Sequence, residues 1–146
     1  MVGVNREKRK GAVRAAIGFA AGDAGEGTAY ALLGASGNGG VVRVPFRCRP
    51  LPALRGRDIS YSALTAVAIE LRRRGIRSVA LVTEDERLVR DLDERLPVPA
   101  PHAMPYVALR CELNRFQEAH VTASDEPAIR DLSARSRAEV FLQPAA

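Results

Sequence analysis

The segment of residues 59–83 constrains the fold most, because a helical pattern in it runs directly into a buried strand. Four apolar residues recur at helical spacing: Leu64, Val67, Ala68 and Leu71. Asp58 or Ser60 is placed to cap this helix, and Gly75 is placed to end it. The apolar run at 79–82 is typical of a strand buried on both faces. Since a helix that leads into a strand forms half of a crossover, this strand is predicted to lie parallel to an earlier one.

Three apolar runs before that helix predict an antiparallel meander. They cover residues 13–21, 28–34 and 41–49, and the glycine-rich stretches "GDAGEG" and "ASGNGG" join them. In the third run, apolar side chains alternate with Arg43, Arg47 and Arg49, which is typical of a strand with one face in solvent. Pro45 cannot donate to the hydrogen-bond ladder, so this strand is expected at an edge of the sheet.

The second half of the chain predicts three more helices and a fifth strand. A short helix covers residues 85–94, and the prolines of "LPVPAPHAMP" predict a loop after it. The next helix starts near Pro105, and its apolar residues at helical spacing are Met104, Val107, Ala108 and Cys111. The stretch "EAHVTAS" predicts a short strand at an edge. Asp125 caps or begins the last helix, whose predicted inward residues are Ala128, Ile129 and Leu132.

These elements define the predicted fold class, which is α/β. The sheet has five strands and is mixed, with a three-strand antiparallel meander plus two strands joined by helices, and helices flank it. The length of 146 residues suits one domain, assigned to residues 13–146. Residues 1–12 are predicted to be a flexible basic tail. Its cations Lys8, Arg9 and Lys10 are either solvated or bound to phosphates.

The cysteines and the hydropathy of the sequence indicate the cellular compartment in which the protein is expected. Cys48 and Cys111 lie far apart and without metal-binding spacing, so neither a zinc site nor a disulfide framework is indicated. No apolar run approaches the roughly 20 residues of a membrane span, and the start has no apolar signal core. We expect a reduced cytoplasmic protein without membrane contact.

The formal charge of +5 favours an acidic partner, and arginine supplies nearly all of it. Nucleic acid (RNA, DNA or a hybrid) is the leading candidate. On the third strand, Arg43, Arg47 and Arg49 either contact phosphates or discourage edge pairing. The arginines at 72–74 end a helix, where cations suit the helix dipole. Four Phe and three Tyr, with no Trp, are too few to predict an extended base-stacking surface.

Common enzyme motifs are missing from the sequence. The stretch "GDAGEG" is not GxGxxG and precedes a strand, and no GK[ST] of a phosphate loop occurs. Neither His102 nor His120 has a serine or cysteine elbow with which to form a triad. The remaining chemical candidates are Glu84, Asp85 and Glu86, directly after the fourth strand. They are either metal ligands at a strand end or acidic residues that favour the N-terminus of the short helix.

Three stretches together resemble the ribonuclease H family over nearly the whole chain. "IGFAAGDAGEGTAYALLG" is similar to that family's first hairpin, where an Asp-Gly begins a glycine-containing turn. "ISYSALTAVAIELRRRGIRSVALVTEDERLV" is similar to its first helix and fourth strand, and "HVTASDEPAIRDLSARS" to its late strand and last helix. The resemblance implies the family's fold. It also implies a function in phosphodiester hydrolysis, with two Mg²⁺ ions held by four carboxylates.

The resemblance assigns those four positions to residues of this chain. The first Asp falls on Ala20 or Ala21, the helix Glu on Ser60, the fourth-strand Asp on Glu84 and the last-helix Asp on Arg130. One position of four keeps a carboxylate, and Arg130 would place a positive charge where a metal ion would sit. The resemblance therefore implies a catalytically degenerate domain that needs no cofactor and acts as a binding module. Its expected partner is nucleic acid or a nucleic-acid-processing protein.

Two alternatives remain open. In the first, the domain is a divergent nuclease in which Asp23, Glu84 and Asp131 hold Mg²⁺ or Mn²⁺, with Glu84 as the main metal ligand. In the second, the domain binds a protein partner or forms a homodimer along the edge strand at 41–49. Converging carboxylates in the structure would favour the nuclease, and an arginine-lined or apolar groove would favour binding.

Overall fold

The structure is a computed structural model that describes residues 12–34, 39–48, 57–93, 98, 100 and 103–141. In these residues the strands are β1 (Val13–Ala21), β2 (Glu26–Leu33), β3 (Val41–Arg47), β4 (Ser78–Thr83) and β5 (Glu118–Ala123). The helices are α1 (Arg57–Arg73), α2 (Glu86–Asp93), α3 (Ala103–Leu113) and α4 (Pro127–Phe141). The predicted tail lies outside the described residues, apart from Ala12. The same holds for four predicted phosphate contacts: Lys8, Arg9, Lys10 and Arg49.

The sheet has the strand order β3-β2-β1-β4-β5. β1 pairs antiparallel with β2, and β2 with β3, so the predicted meander is confirmed. β4 lies parallel to both β1 and β5, as the crossover pattern predicts. β3 and β5 are the two edges, and Pro45 therefore lies on an edge strand, where a residue without an N–H is tolerated.

Helices cover both faces of the sheet, and the alternation of β1 sorts its side chains between them. Ala15 and Ile17 belong to the larger core, which α1 and α3 complete. Ala16 instead packs with Val82 and with Ile129 of α4 on the opposite face. β1 is thus enclosed between α1 and α4, which explains why most of its residues are small and apolar.

The helix starts differ from their predicted positions. α1 begins at Arg57, so Asp58 and Ser60 lie inside its first turn and are buried instead of capping it from outside. α4 begins at Pro127, so Asp125 precedes the helix by two residues, and the Oγ of Ser124 accepts the backbone N–H of Glu126 there. At the other end of α1, Gly75 has a φ of 85° and ends the helix as predicted.

The apolar spacing of α3 indicates a helix but not its buried face. Met104, Val107, Ala108 and Cys111 are exposed, whereas Leu109 and Leu113 are buried. The two leucines lie four residues apart, so they share a face and bring more apolar surface to the core than the predicted set. No helix in the described part of the chain is long and apolar enough to cross a membrane.

Candidate functional site at the ends of β1 and β4

Glu84 follows the last residue of β4 and is exposed, whereas Thr83 before it is fully buried. The parallel register pairs Ala16 of β1 with Val82 of β4. Continued by two residues, this register places Gly18 level with Glu84. The β1 residue nearest to Glu84 along the sheet is therefore a glycine, two residues before Ala20.

Gly18 lets α4 approach β1 more closely than any other residue type would allow. A Cβ at this position would lie 2.3 Å from the backbone N of Ser133 and 2.6 Å from Leu132. The Oγ of Ser136 donates to the carbonyl of Gly18 over 3.4 Å and to the carbonyl of Leu132 over 2.9 Å. The space that a β1 side chain would need at this level is occupied by the backbone of α4.

The carboxylate of Glu84 is engaged by the same helix. The Oγ of Ser133, which is 2% exposed, donates a hydrogen bond of 2.9 Å to Oε1 of Glu84. Glu84 thereby satisfies a buried hydroxyl group of α4. Gly18, Glu84 and Ser133 are referred to below as the strand-end site.

Asp85, the next residue of the acidic run at 84–86, lies at the start of α2. Its Oδ1 accepts the backbone N–H groups of Arg87 at 3.0 Å and Leu88 at 3.2 Å. This is the hydrogen bonding of an N-cap, so the prediction that Asp85 favours the start of the short helix α2 is confirmed. Glu84, predicted in the same role, instead bonds to α4.

The four positions assigned by the ribonuclease H resemblance lie on β1, on α1, on α4 and directly after β4, and they offer one carboxylate. Ala20 is buried in β1, beside the half-buried Ala21, and Ser60 is buried in α1. Arg130 is exposed on α4, and its guanidinium lies 3.8 Å from the carboxylate of Asp125. Mg²⁺ takes oxygen ligands, mainly carboxylates, so a methyl group, a buried hydroxyl and a guanidinium do not fit a pair of these ions.

The alternative carboxylate set is not assembled either. Asp23 is exposed in the turn between β1 and β2, Glu84 follows β4, and Asp131 is exposed on α4. Among the residues that the structure describes, no three His, Cys, Asp or Glu side chains are grouped so that they could hold a metal ion. Glu84 therefore accepts a hydrogen bond from Ser133, and it does not form a group of metal ligands with Asp23 and Asp131.

The arginines of β3 are paired with carboxylates. Arg43 donates to Glu139 of α4, which also accepts the hydroxyl of Tyr30. Arg47 pairs with Glu26 of the neighbouring strand at 2.8 Å, and both side chains are largely exposed. Arg135 stacks over the ring of Tyr30 with its guanidinium carbon 4.3 Å from the ring centre.

This network shifts the pKa values of its members. The hydrogen bond from Arg43, followed by that from Tyr30, lowers the pKa of Glu139 below its ordinary value. The hydrogen bond to Glu139, together with burial, raises the pKa of Tyr30. Glu139 is therefore ionised at neutral pH and anchors α4 to the outer two strands of the meander.

Three residues that shape this region were not predicted from the sequence: Gly18, Ser133 and Ser136. In the sequence, Gly18 is one glycine within the apolar run at 13–21. Ser133 and Ser136 are small polar residues within the predicted last helix. The two serines lie three residues apart, so they share a helix face, and this was the available signal. Nothing in a single sequence indicates that this face meets Gly18 and Glu84.

Solved structures of other proteins match this fold over most of the chain, whereas sequence comparisons find no relative. No protein-family model and no curated protein sequence matches the chain. Ribonuclease H1 from the halophilic archaeon Halobacterium salinarum NRC-1 matches with a TM-score of 0.68 at 18% identity, over 90% of this chain and 98% of that one. The N-terminal RNase H domain of a Mycobacterium tuberculosis protein gives 0.64 at 14% identity, over 90% and 96%.

A third similar structure contains a ligand. LC11-RNase H1, isolated from compost by a metagenomic approach, was solved in complex with an RNA/DNA hybrid. It matches with a TM-score of 0.59 at 9% identity, over 88% of this chain and 99% of that one. The agreement in topology and coverage shows that the chain has the ribonuclease H-like fold, as the sequence resemblance implied.

Proposed function

We propose that this domain binds nucleic acid, with an RNA/DNA hybrid as the first candidate, and does not cleave it by the two-metal mechanism. The strand-end site supports the second half of the proposal, the lack of two-metal cleavage, because its one carboxylate, Glu84, is hydrogen-bonded to Ser133 while α4 is packed against Gly18. A second carboxylate cannot approach Glu84 from β1 at this level without moving the helix. Hydrolysis with two metal ions needs several such ligands in one place.

The binding half of the proposal has separate support. The fold is shared with ribonucleases H, one of which was solved with an RNA/DNA hybrid. The positive formal charge comes mainly from arginine, whose guanidinium group binds phosphate with two parallel hydrogen bonds. Arg47 is exposed beside Glu26 on the edge strand, and an exposed ion pair of this kind exchanges its partner at little cost.

Fluorescence anisotropy with a labelled RNA/DNA hybrid tests the binding. We expect an affinity that falls steeply as salt is added, since displaced counterions drive phosphate binding. Arg47→Gln should weaken binding, whereas Glu26→Gln, which changes the other member of the same ion pair, should not. Absent or salt-independent binding would reject the proposal.

Cleavage is measured on the same hybrid in the presence of Mg²⁺ or Mn²⁺. The expected result is an intact hybrid after prolonged incubation. Metal-dependent cleavage that Glu84→Gln abolishes would contradict the degenerate site and establish the divergent nuclease instead. The unmodified protein without metal is the control for contaminating ribonucleases.

Pairing with another protein chain along β3 is a second candidate function. β3 is an edge of the sheet, and Val41 at its start is 44% exposed, so an apolar side chain is available beside the unpaired backbone of this edge. Val41→Lys should then convert a dimer seen by light scattering into a monomer. A wild-type protein that is monomeric at every concentration tested would exclude self-association along this edge.

A further inference from the structure

A group of arginines lies at the end of the sheet opposite Glu84, where β4 and β5 begin. The last turn of α1, the connection to β4 and the connection from α3 to β5 contribute its five members: Arg72, Arg73, Arg74, Arg77 and Arg115. Glu70 and Glu112 are their ion-pair partners, and a third carboxylate, Glu118 at the start of β5, pairs with His120 instead. Positive charge therefore exceeds negative charge here, unlike on β3, where Arg43 and Arg47 each have a carboxylate.

Part of this group surrounds a concavity of about 690 Å³. Its apolar lining includes Phe116, which is buried, and Ile76, which is half-buried. Its polar lining consists of Arg72, Arg77, Arg115 and Gln117. We refer to these six residues as the arginine concavity, and its size accommodates a short chain of phosphate groups.

The guanidinium groups of the arginine concavity retain unused hydrogen-bond donors. Arg77 is exposed and has neither an ion pair nor a side-chain hydrogen bond with any described residue. Arg72 and Arg115 share Glu112, at 3.7 and 3.9 Å, which is beyond hydrogen-bond length. The Nε of Arg72 is buried and lacks an acceptor among the described residues.

Arg72 and Arg73 lie in the last turn of α1, as the sequence predicts, but the carbonyl groups of Leu71 and Arg72 do not need their guanidinium groups as donors. The N–H of Gly75 donates to the carbonyl of Arg72 at 3.0 Å, and the N–H of Ile76 donates to the carbonyl of Leu71 at 3.2 Å. Backbone groups thus satisfy the helix C-terminus in a Schellman-like arrangement. The ion pairs of these guanidinium groups with described residues are those with Glu70 and Glu112.

We propose that the arginine concavity binds phosphate groups, supplied either by a nucleic-acid backbone or by a free oligophosphate. Three guanidinium groups in one concavity provide the parallel donors that phosphate oxygens accept, and the carboxamide of Gln117 adds a neutral donor. This site goes beyond the proposed function, because it lies at the other end of β4 from Glu84 and its ligand need not be nucleic acid.

Calorimetric titration with sodium tripolyphosphate at low ionic strength tests the site. Arg77→Gln should weaken binding about tenfold, since it removes one charged hydrogen-bonding partner without breaking an internal contact. Gln117→Glu, which introduces a carboxylate into the concavity, should abolish tripolyphosphate binding. The matched control is Arg137→Gln on α4, which also removes one exposed arginine without a described partner and should change affinity less than twofold.

A wild-type protein that does not bind tripolyphosphate, or an Arg137→Gln variant that loses as much affinity as Arg77→Gln, would overturn the proposal. Adding an RNA/DNA hybrid separates the two sources of phosphate. Displacement of tripolyphosphate by the hybrid in the wild type assigns the site to a nucleic-acid backbone, and binding of both together assigns it to a free oligophosphate. If tripolyphosphate binds and the hybrid does not bind at all, the arginine concavity stands and the proposed function fails.

Discussion

The Oγ of Ser133 donates a hydrogen bond of 2.9 Å to Oε1 of Glu84, which joins the middle of α4 to the loop after β4. The two residues are 49 positions apart in sequence. The bond gives the carboxylate after β4 a structural partner, and it ties the last helix to the central strands. Its contribution to stability can therefore be measured separately from any activity.

Replacing Ser133 by Ala should lower the free energy of unfolding by about 1 to 2 kcal/mol, because it removes a hydrogen bond to a charged group. Glu84→Gln should cost less, since the amide oxygen still accepts from Ser133. Urea unfolding at neutral pH measures both. Asp131→Asn is the control, because Asp131 is exposed on the same helix without a described contact, and it should stay within about 0.5 kcal/mol of the wild type.

Introducing a methyl group at Gly18 should destabilise the protein by about 3 kcal/mol, the upper end of the usual cost of overpacking. The reason is that the obstructing atoms belong largely to the backbone of α4, which cannot rotate away. Gly22→Ala is the matched control in the same chain segment. Its Cβ would lie 3.3 Å from a side-chain methyl of Val140 and 3.8 Å from the carbonyl oxygen of Glu26, which is an ordinary contact, so about 1 kcal/mol or less is expected. Equal effects in thermal unfolding would show that β1 and α4 are not in close contact.

Calorimetric titration of the wild type with Mg²⁺ and Mn²⁺ should give no binding heat, and Glu84→Gln should behave identically. The physical reason is the donor set, since a single carboxylate that already accepts from Ser133 is a poor site for a hard divalent cation. Heat that is present in the wild type and lost in Glu84→Gln would show a metal site around Glu84, and would revive the nuclease alternative.

The stabilising effect of Glu139 should depend on pH. Because the pKa of this carboxyl group is lowered in the folded state, its contribution is fully present above the ordinary glutamate pKa of about 4.3 and is lost as the pH falls through the lowered value. At neutral pH, Glu139→Gln should therefore cost about 1 to 2 kcal/mol.

Urea unfolding at a series of pH values checks this dependence. The difference between the wild type and Glu139→Gln should shrink in acid. Glu26→Gln serves as the control, because its exposed pair with Arg47 should contribute little at any pH. A difference that is independent of pH would mean that Glu139 acts by packing alone.

Local patterns in the sequence predicted the fold well. Pro45 placed β3 at an edge, and the helix leading into β4 predicted the parallel pairing. Both signals act within one element or its immediate neighbour, so a single sequence is enough to detect them. On α3 the same kind of signal was ambiguous, since two faces carry apolar residues and packing against α1 decided which is buried.

The strand-end site could be predicted only in part. Glu84 was identified from its place after a buried strand, and Asp85 from its place before a helix. The contact of Gly18 with Ser133 depends on the distance between two elements more than 100 residues apart, which residue spacing does not encode. The pairing of Arg43 with Glu139 was missed for the same reason.

The position of β1 in the sheet also has a consequence for synthesis on the ribosome. β1 is synthesised before the other four strands of this sheet, yet it lies in the centre, and one of its edges can pair only after β4 has been synthesised. During that interval the nascent meander presents an unpaired central strand, which is a common starting point for aggregation. Five of the nine residues of β1 are alanine or glycine, so its unpaired edge exposes few large apolar side chains to neighbouring chains.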